Sequence, residues 1–239
     1  MIFQTQIIKR ELVAEGTMSF YFKKPDGFIF KGGQYADFTL VNPSETDTEG
    51  NSRSLSLASA PYENELMITT RLRNSAFKRV LQKESEKVEI KIDGPFGSFT
   101  LQKNTERPAV FLMGGIGITP ARSIILQVIH DLLPHQIYLF YSNRRPEDAP
   151  FLEDFWEAEK INPNFKFVPI MTGMEKSKET WTGESEYIIP SMLQKYLPDF
   201  KKPIYYAAGP MTMTNAMREI LNAAGIDDDD IRSEEFSGY

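Results

Sequence analysis

A change of rhythm near residue 104 divides the chain. Up to about residue 101 it runs in short alternating segments, "QTQIIKREL", "MSFYFKKP", "GGQYADFTL", "RSLSLAS", "ELMITTRL" and "KVEIKIDGPFG", with turn residues between them. Alternation at period two buries one face of each strand, and evenly spaced short strands of this kind build an antiparallel barrel or sandwich. One helix interrupts them. In "SAFKRVLQKE", Phe77, Val80 and Leu81 recur at helical spacing and Ser75 can cap the start. After Arg107 strand and helix signals alternate, from "PAVFLMGG" and "TPARSIILQVIHDLL" through "HQIYLFYS" and "FKFVPIM" to "PIYYAAG", "MTMTNAMREILNAAG" and "DIRSEEF". This predicts a parallel sheet with helices on both faces. The expected organisation is two domains: residues 1–104 a β-barrel, and residues 105–239 an α/β parallel-sheet domain, joined at "QKNTERP".

Composition narrows the chemistry. Among 239 residues there is no cysteine, which excludes disulfides, iron-sulfur ligation and thiolate catalysis by these residues. Any redox chemistry then belongs to an organic cofactor or a partner. Residues 1–104 hold 14 basic and 13 acidic side chains and the remainder 13 and 20, so the acidity lies in the second half, against a general nucleic-acid binder. The start, "MIFQTQIIKREL", alternates and carries charge, and no apolar run approaches the roughly 20 residues that span a bilayer. A cytoplasmic protein without membrane insertion is the expectation. "NPSETDTEGNS" after the third strand reads as a polar, mobile loop, and "DDDD" at 227–230 as a solvated one. His130 and His135 have no clustered carboxylates at ligand spacing, so no metal site is expected.

Three segments look able to hold nucleotide. "LMGGIGITPARSI" follows an apolar strand and precedes a helix. Gly114, Gly115 and Gly117 let backbone approach a ligand, Thr119 is a natural N-cap and Pro120 suits the first helical position. Such a turn either receives a pyrophosphate at the helix start or is simply tight. "FYSNRRPEDAPF" ends the next strand with Ser142, Arg144 and Arg145, where parallel-sheet folds meet an adenosine ribose. Either arginine could hold a 2′-phosphate, which favours NADPH over NADH; a solvated basic loop is the alternative. "YYAAGPMTM" places Ala208, Gly209, Pro210 and Met211 at the same sheet edge, because all strands of a parallel sheet end there.

In order and spacing, "RSLSLASAP", "GPFGSFTL", "MGGIGITPA", "AAGPM" and "EEFSGY" resemble the ferredoxin-NADP reductase family across essentially the whole chain. The resemblance implies an FAD-binding Greek-key β-barrel followed by a nicotinamide-binding α/β domain. Arg53 matches the arginine that holds the FAD pyrophosphate, with Ser54 beside it. Ser56 matches the serine near flavin N5, and Leu55 stands where the family has a flavin-stacking tyrosine. "TRLRNSAFKRVL" corresponds to the step that cradles FAD phosphates, implicating Arg71, Ser75, Ala76, Phe77 and Lys78. Glu234 and Phe236 match the C-terminal acid and the aromatic ring that covers the flavin, a role Tyr239 could take instead. Ala208 replaces a cysteine next to the nicotinamide. The implied activity is transfer of a hydride from NADPH or NADH to FAD, with Ser56, Glu234 and Phe236 as catalytic candidates. Electrons would pass to a separate ferredoxin, flavodoxin or oxygenase component, attracted by Arg71, Arg73, Lys78, Arg79 and Lys83. The alternatives are an NAD(P)H:flavin reductase that treats flavin as a substrate, or a flavin-binding electron-transfer subunit that never meets NAD(P)H.

Overall fold

A computed structural model describes residues 2–83 and 88–236. Every strand and helix quoted from the sequence is present. The first unit contains β1 (Ile2–Ala14), β2 (Thr17–Lys23), β3 (Tyr35–Leu40), β4 (Ser52–Ser56), β5 (Glu65–Arg71), helix α1 (Ala76–Lys83) and β6 (Glu89–Phe96). They form one antiparallel sheet in the order β4-β3-β6-β1-β2-β5. The two edges approach each other: beyond β4, the Ala58 amide donates to the Met67 carbonyl of β5 at 2.7 Å, curling the sheet into a barrel. Alternation does the sorting. In β3, Ala36, Phe38 and Leu40 point inward to join Phe20, Phe22, Ile68 and Ile92, and α1 adds Phe77, Val80 and Leu81 to the same core.

The second unit contains β7 (Ala109–Gly114), α2 (Ile118–His130), β8 (Ile137–Asn143), α3 (Leu152–Ile161), β9 (Phe165–Met171), α4 (Pro190–Tyr196), β10 (Ile204–Pro210), α5 (Met211–Ala223) and β11 (Ile231–Phe236). The sheet is parallel, in the order β11-β10-β7-β8-β9. In β7, Ala109, Phe111 and Met113 face α2 and α3, while Val110 and Leu112 face α4 and α5. A strand buried on both sides must be apolar throughout, as "AVFLMG" is. Strand order reverses between β7 and β10, and a crevice opens there at the carboxyl ends. Phe99 and Leu101 from the connecting segment pack into this second core. Among the described residues no helix is long and apolar enough to cross a membrane.

Helix α2 is buried on nearly every side because it lies between the sheet and the barrel. Arg122, with its side chain only 10% exposed, donates to the Ala58 carbonyl at 2.9 Å and pairs with Glu63 at 3.0 Å and Asp154 at 2.7 Å. Ser123 Oγ donates to the Ser59 carbonyl at 2.6 Å, and the rings of Tyr62 and His130 stack at 4.0 Å. His135 is buried, its Nε2 2.9 Å from the Gln102 carbonyl. The acidic run is not simply a solvated loop. Residues 228–230 form a 3-10 turn capped by Asp227, and Asp230 pairs bidentately with Arg107 at 2.7 and 2.8 Å, since carboxylates beside a guanidinium gain more than water offers them.

Candidate functional site

The turn after β7 separates two clefts. Gly114 and Gly115 line one, Ile116 and Thr119 the other. The glycines serve packing as much as ligand approach. A Cβ on Gly117 would lie 2.4 Å from the Ala208 carbonyl oxygen, so this residue lets α2 start against β10 and lies in neither cleft's lining. Thr119 does not cap α2: its hydroxyl donates to the Ile116 carbonyl at 3.1 Å, because a 3-10 turn over Gly115–Gly117 runs straight into the helix and leaves Gly117 as the N-cap. Pro120 is buried in the first turn.

The first cleft, of about 910 Å³, opens between the barrel and the parallel-sheet edge. Strand β4 contributes Arg53, Ser54, Leu55 and the buried Ser56; Arg73, Ser75, Phe77 and Lys78 come from the approach to α1 and its first turns. Glu234 and Phe236 close it from β11, paired in register with Ala208 and Pro210. Ala76 is buried beneath, and Tyr239 lies outside the described residues. The cleft is basic on its barrel side. Burial, then repulsion from Arg73 and Arg53, pushes the Lys78 ammonium below its ordinary value. On the opposite wall burial pushes the Glu234 carboxyl up to about 7, and its Oε2 is buried with no hydrogen-bond partner among the described residues.

The second cleft, of about 1,100 Å³, covers the carboxyl ends of β7 to β10. Ser142, Arg144, Arg145 and Pro210 line it; Ala208 and Gly209 are buried and outside its lining, and Met211 is exposed beside it. The two arginines differ. Arg145 binds Asp148 through Nε and Nη2 at 2.9 and 2.7 Å and Glu15 of the barrel at 2.6 Å, so two carboxylates already neutralise it. Arg144 is exposed. Arg71 likewise does not stand free for a phosphate: its guanidinium donates to Thr17 Oγ1 at 2.7 Å and to the Asp148 carbonyl at 3.0 Å, walling both clefts. Arg79 is bound bidentately to Glu45, which removes it from an open basic face.

Sequence reasoning passed over Tyr35, Thr69 and Thr70 in the first cleft and Thr172, Gly173, Lys176 and Tyr187 in the second. Thr172 and Gly173 were findable, because β9 ends on the same edge as β7 and β10. Tyr35 had no motif to mark it; β3 simply pairs it opposite Ser56.

Residues 111–219 match the oxidoreductase NAD-binding domain family. The reductase component of propane 2-monooxygenase from Rhodococcus jostii is 27% identical over 219 residues, covering 90% of this chain and 57% of that protein, so the chain spans little more than half of that relative's length. Among solved structures, flavohemoglobin from Malassezia yamatoensis with bound FAD and heme superposes with a TM-score of 0.81 at 20% identity, over 99% of this chain and 60% of that one. A ferredoxin NADP+ reductase from Neisseria gonorrhoeae with bound FAD and NADP superposes with a TM-score of 0.79 at 20% identity, over 98% of both chains. The chain has the two-unit fold seen in ferredoxin-NADP reductases, and residues 111–219 of its second unit match the oxidoreductase NAD-binding domain family.

Proposed function

We propose that the chain is an FAD-dependent NAD(P)H oxidoreductase, with residues 1–104 holding the flavin and residues 105–239 the nicotinamide nucleotide. The observation that carries this reading is the pair of clefts meeting across the Gly114–Thr119 turn, one basic on its barrel side and the other at the strand-order reversal. The first cleft fits a flavin dinucleotide in size and in donors. Its volume lies within the roughly 300–1,000 Å³ of ordinary ligand pockets, and its wall carries a carboxyl with one buried oxygen that has no partner among the described residues.

A flavin bound there would supply the exchange of two electrons from NAD(P)H for single electrons to a carrier. The chain's own residues bind, orient and exclude water. Arg53, Ser75 and Lys78 hold the phosphate end, with Ser54 alongside. Leu55 and Phe236 offer apolar faces to the ring, Ser56 offers a hydroxyl from the barrel edge, and Glu234 holds a proton near neutral pH at the cleft wall. Gly114, Gly115, Ser142 and Pro210 receive the nicotinamide nucleotide, and Arg144 is the cation placed for a 2′-phosphate. Electrons pass on to a ferredoxin, a flavodoxin or an oxygenase component, since these 239 residues hold no cysteine to ligate a cluster. The relationship to a monooxygenase reductase component supports the last class. This reading keeps the chain in the cytoplasm, where reduced nicotinamide nucleotides are maintained.

The test is a visible spectrum of the purified protein, or of protein supplied with FAD, followed by anaerobic titration with NADPH and NADH. Bleaching of the flavin bands by either nucleotide supports the enzyme; a flavin-loaded protein that neither nucleotide reduces overturns it. Arg144→Ala should raise KM for NADPH about tenfold more than for NADH, the worth of one charge-assisted contact. Equal effects would refute the 2′-phosphate assignment.

A further inference from the structure

The polar loop between β3 and β4 does not stand away from the molecule. It folds over the basic end of the first cleft and places carboxylates on Arg53 and on the start of α1. Asp47 Oδ2 accepts the Ala76 amide at 2.6 Å, occupying the start of α1, whereas Ser75 Oγ reaches the Lys78 amide only at 3.4 Å. Glu49 Oε2 lies 2.7 Å from Arg53 Nη2, and Asp47 Oδ1 3.9 Å from the same nitrogen. Arg53 Nη1 donates to the carbonyls of Glu49, Gly50 and Ser52 at 3.0, 3.1 and 2.7 Å, so the loop backbone is wrapped around the guanidinium as well. Glu45 anchors the loop's other end on Arg79 at 2.6 Å. Glu49 itself lines the cleft.

We propose that residues 45–50 are an internal anion that competes with the diphosphate of the flavin, so that Asp47 and Glu49 determine how tightly the dinucleotide is held. The inference rests on reading the first cleft as the flavin site. Arg53, Arg73 and Lys78 converge there, and like charges held together need a counter-ion. The loop supplies one. The Lys78 ammonium, lowered first by burial and then by repulsion from Arg73 and Arg53, is raised by Glu49, and the Ala76 amide holds the Asp47 carboxyl below its ordinary range. Flavin binding must therefore lift Glu49 from Arg53 and Asp47 from the helix start, or leave two carboxylates facing two phosphates. Either way the ADP half adds little to affinity, selection falls to the ring end, and the flavin exchanges readily.

Titrations of the full chain, wild type and Asp47→Asn/Glu49→Gln, with FAD and with riboflavin test this. In the wild type, FAD and riboflavin should bind within about tenfold of each other; in the double variant FAD should tighten at least about tenfold while riboflavin is unchanged, as expected for removing charged hydrogen-bond competitors. Glu49→Gln alone leaves the α1 cap in place and should also tighten FAD, which covers the case in which the double variant loosens the helix. Unchanged or weaker FAD binding in both variants overturns the competition while leaving the flavin site standing. Failure of every form to bind either flavin overturns the flavin reading and the inference with it.

Discussion

Glu234 gives the sharpest thermodynamic test. Its carboxyl sits on β11 against Ala208, with one oxygen buried and without a partner among the described residues, and burial raises it from 4.5 to about 7. The unfolded chain releases this proton near 4.5 and the folded chain keeps it to about 7. Between those values the folded state binds more protons, so stability falls as pH rises. Moving a carboxyl across that interval is worth about 3 kcal/mol at roughly 1.4 kcal/mol per pH unit. The penalty is absent below about pH 4.5 and complete above about pH 7. Glu234→Gln removes the ionisation and keeps the shape. Denaturant unfolding of the flavin-free protein across this range should therefore show a decline in the wild type that the variant lacks. The gap between them should widen by about 3 kcal/mol, or roughly 6–12 °C in melting temperature for a chain of this size. Parallel pH profiles for the two proteins would refute the argument that this carboxyl is buried without a partner.

Two further outcomes follow from packing. Arg122→Ala leaves Glu63 and Asp154 without their guanidinium, although their side chains, 29% and 34% exposed, can partly rehydrate. The expected loss is about 3 kcal/mol, with calorimetry resolving separate melting of the barrel and the α/β unit; an unshifted single transition would show that α2 does not couple them. Gly117→Ala drives a Cβ into the Ala208 carbonyl and should cost about 3 kcal/mol by denaturant unfolding, whereas Gly16→Ala, at φ +61° with open space around it, should cost about 1 kcal/mol; equal losses would refute the close approach of α2 to β10.

What the residues alone established was local and periodic. "YADFTL" alternates because β3 has one wet face, and "AVFLMG" does not because β7 has none. From such patterns the order of every strand and helix followed, and so did the place of the glycine turn after β7 at the carboxyl edge of the sheet. The positions of Arg53, Ser56 and Glu234 on one cleft were legible through the family resemblance, since these residues lie in short motifs read as units.

Long-range electrostatics was not legible. Arg71, Arg145 and Arg79 look in sequence like open cations, but folding brings the Asp148 backbone carbonyl against the first and the carboxylates of Glu15 and Glu45 against the other two. The same holds for the acidic loop: Asp47 caps a helix 29 residues away, although the pairing of Glu49 with Arg53, four residues on, is local. Periodicity records which face of an element is buried, because burial of apolar area acts on every residue of that face. Which carboxylate meets which guanidinium depends on where loops end in space, and only the tertiary structure decides that.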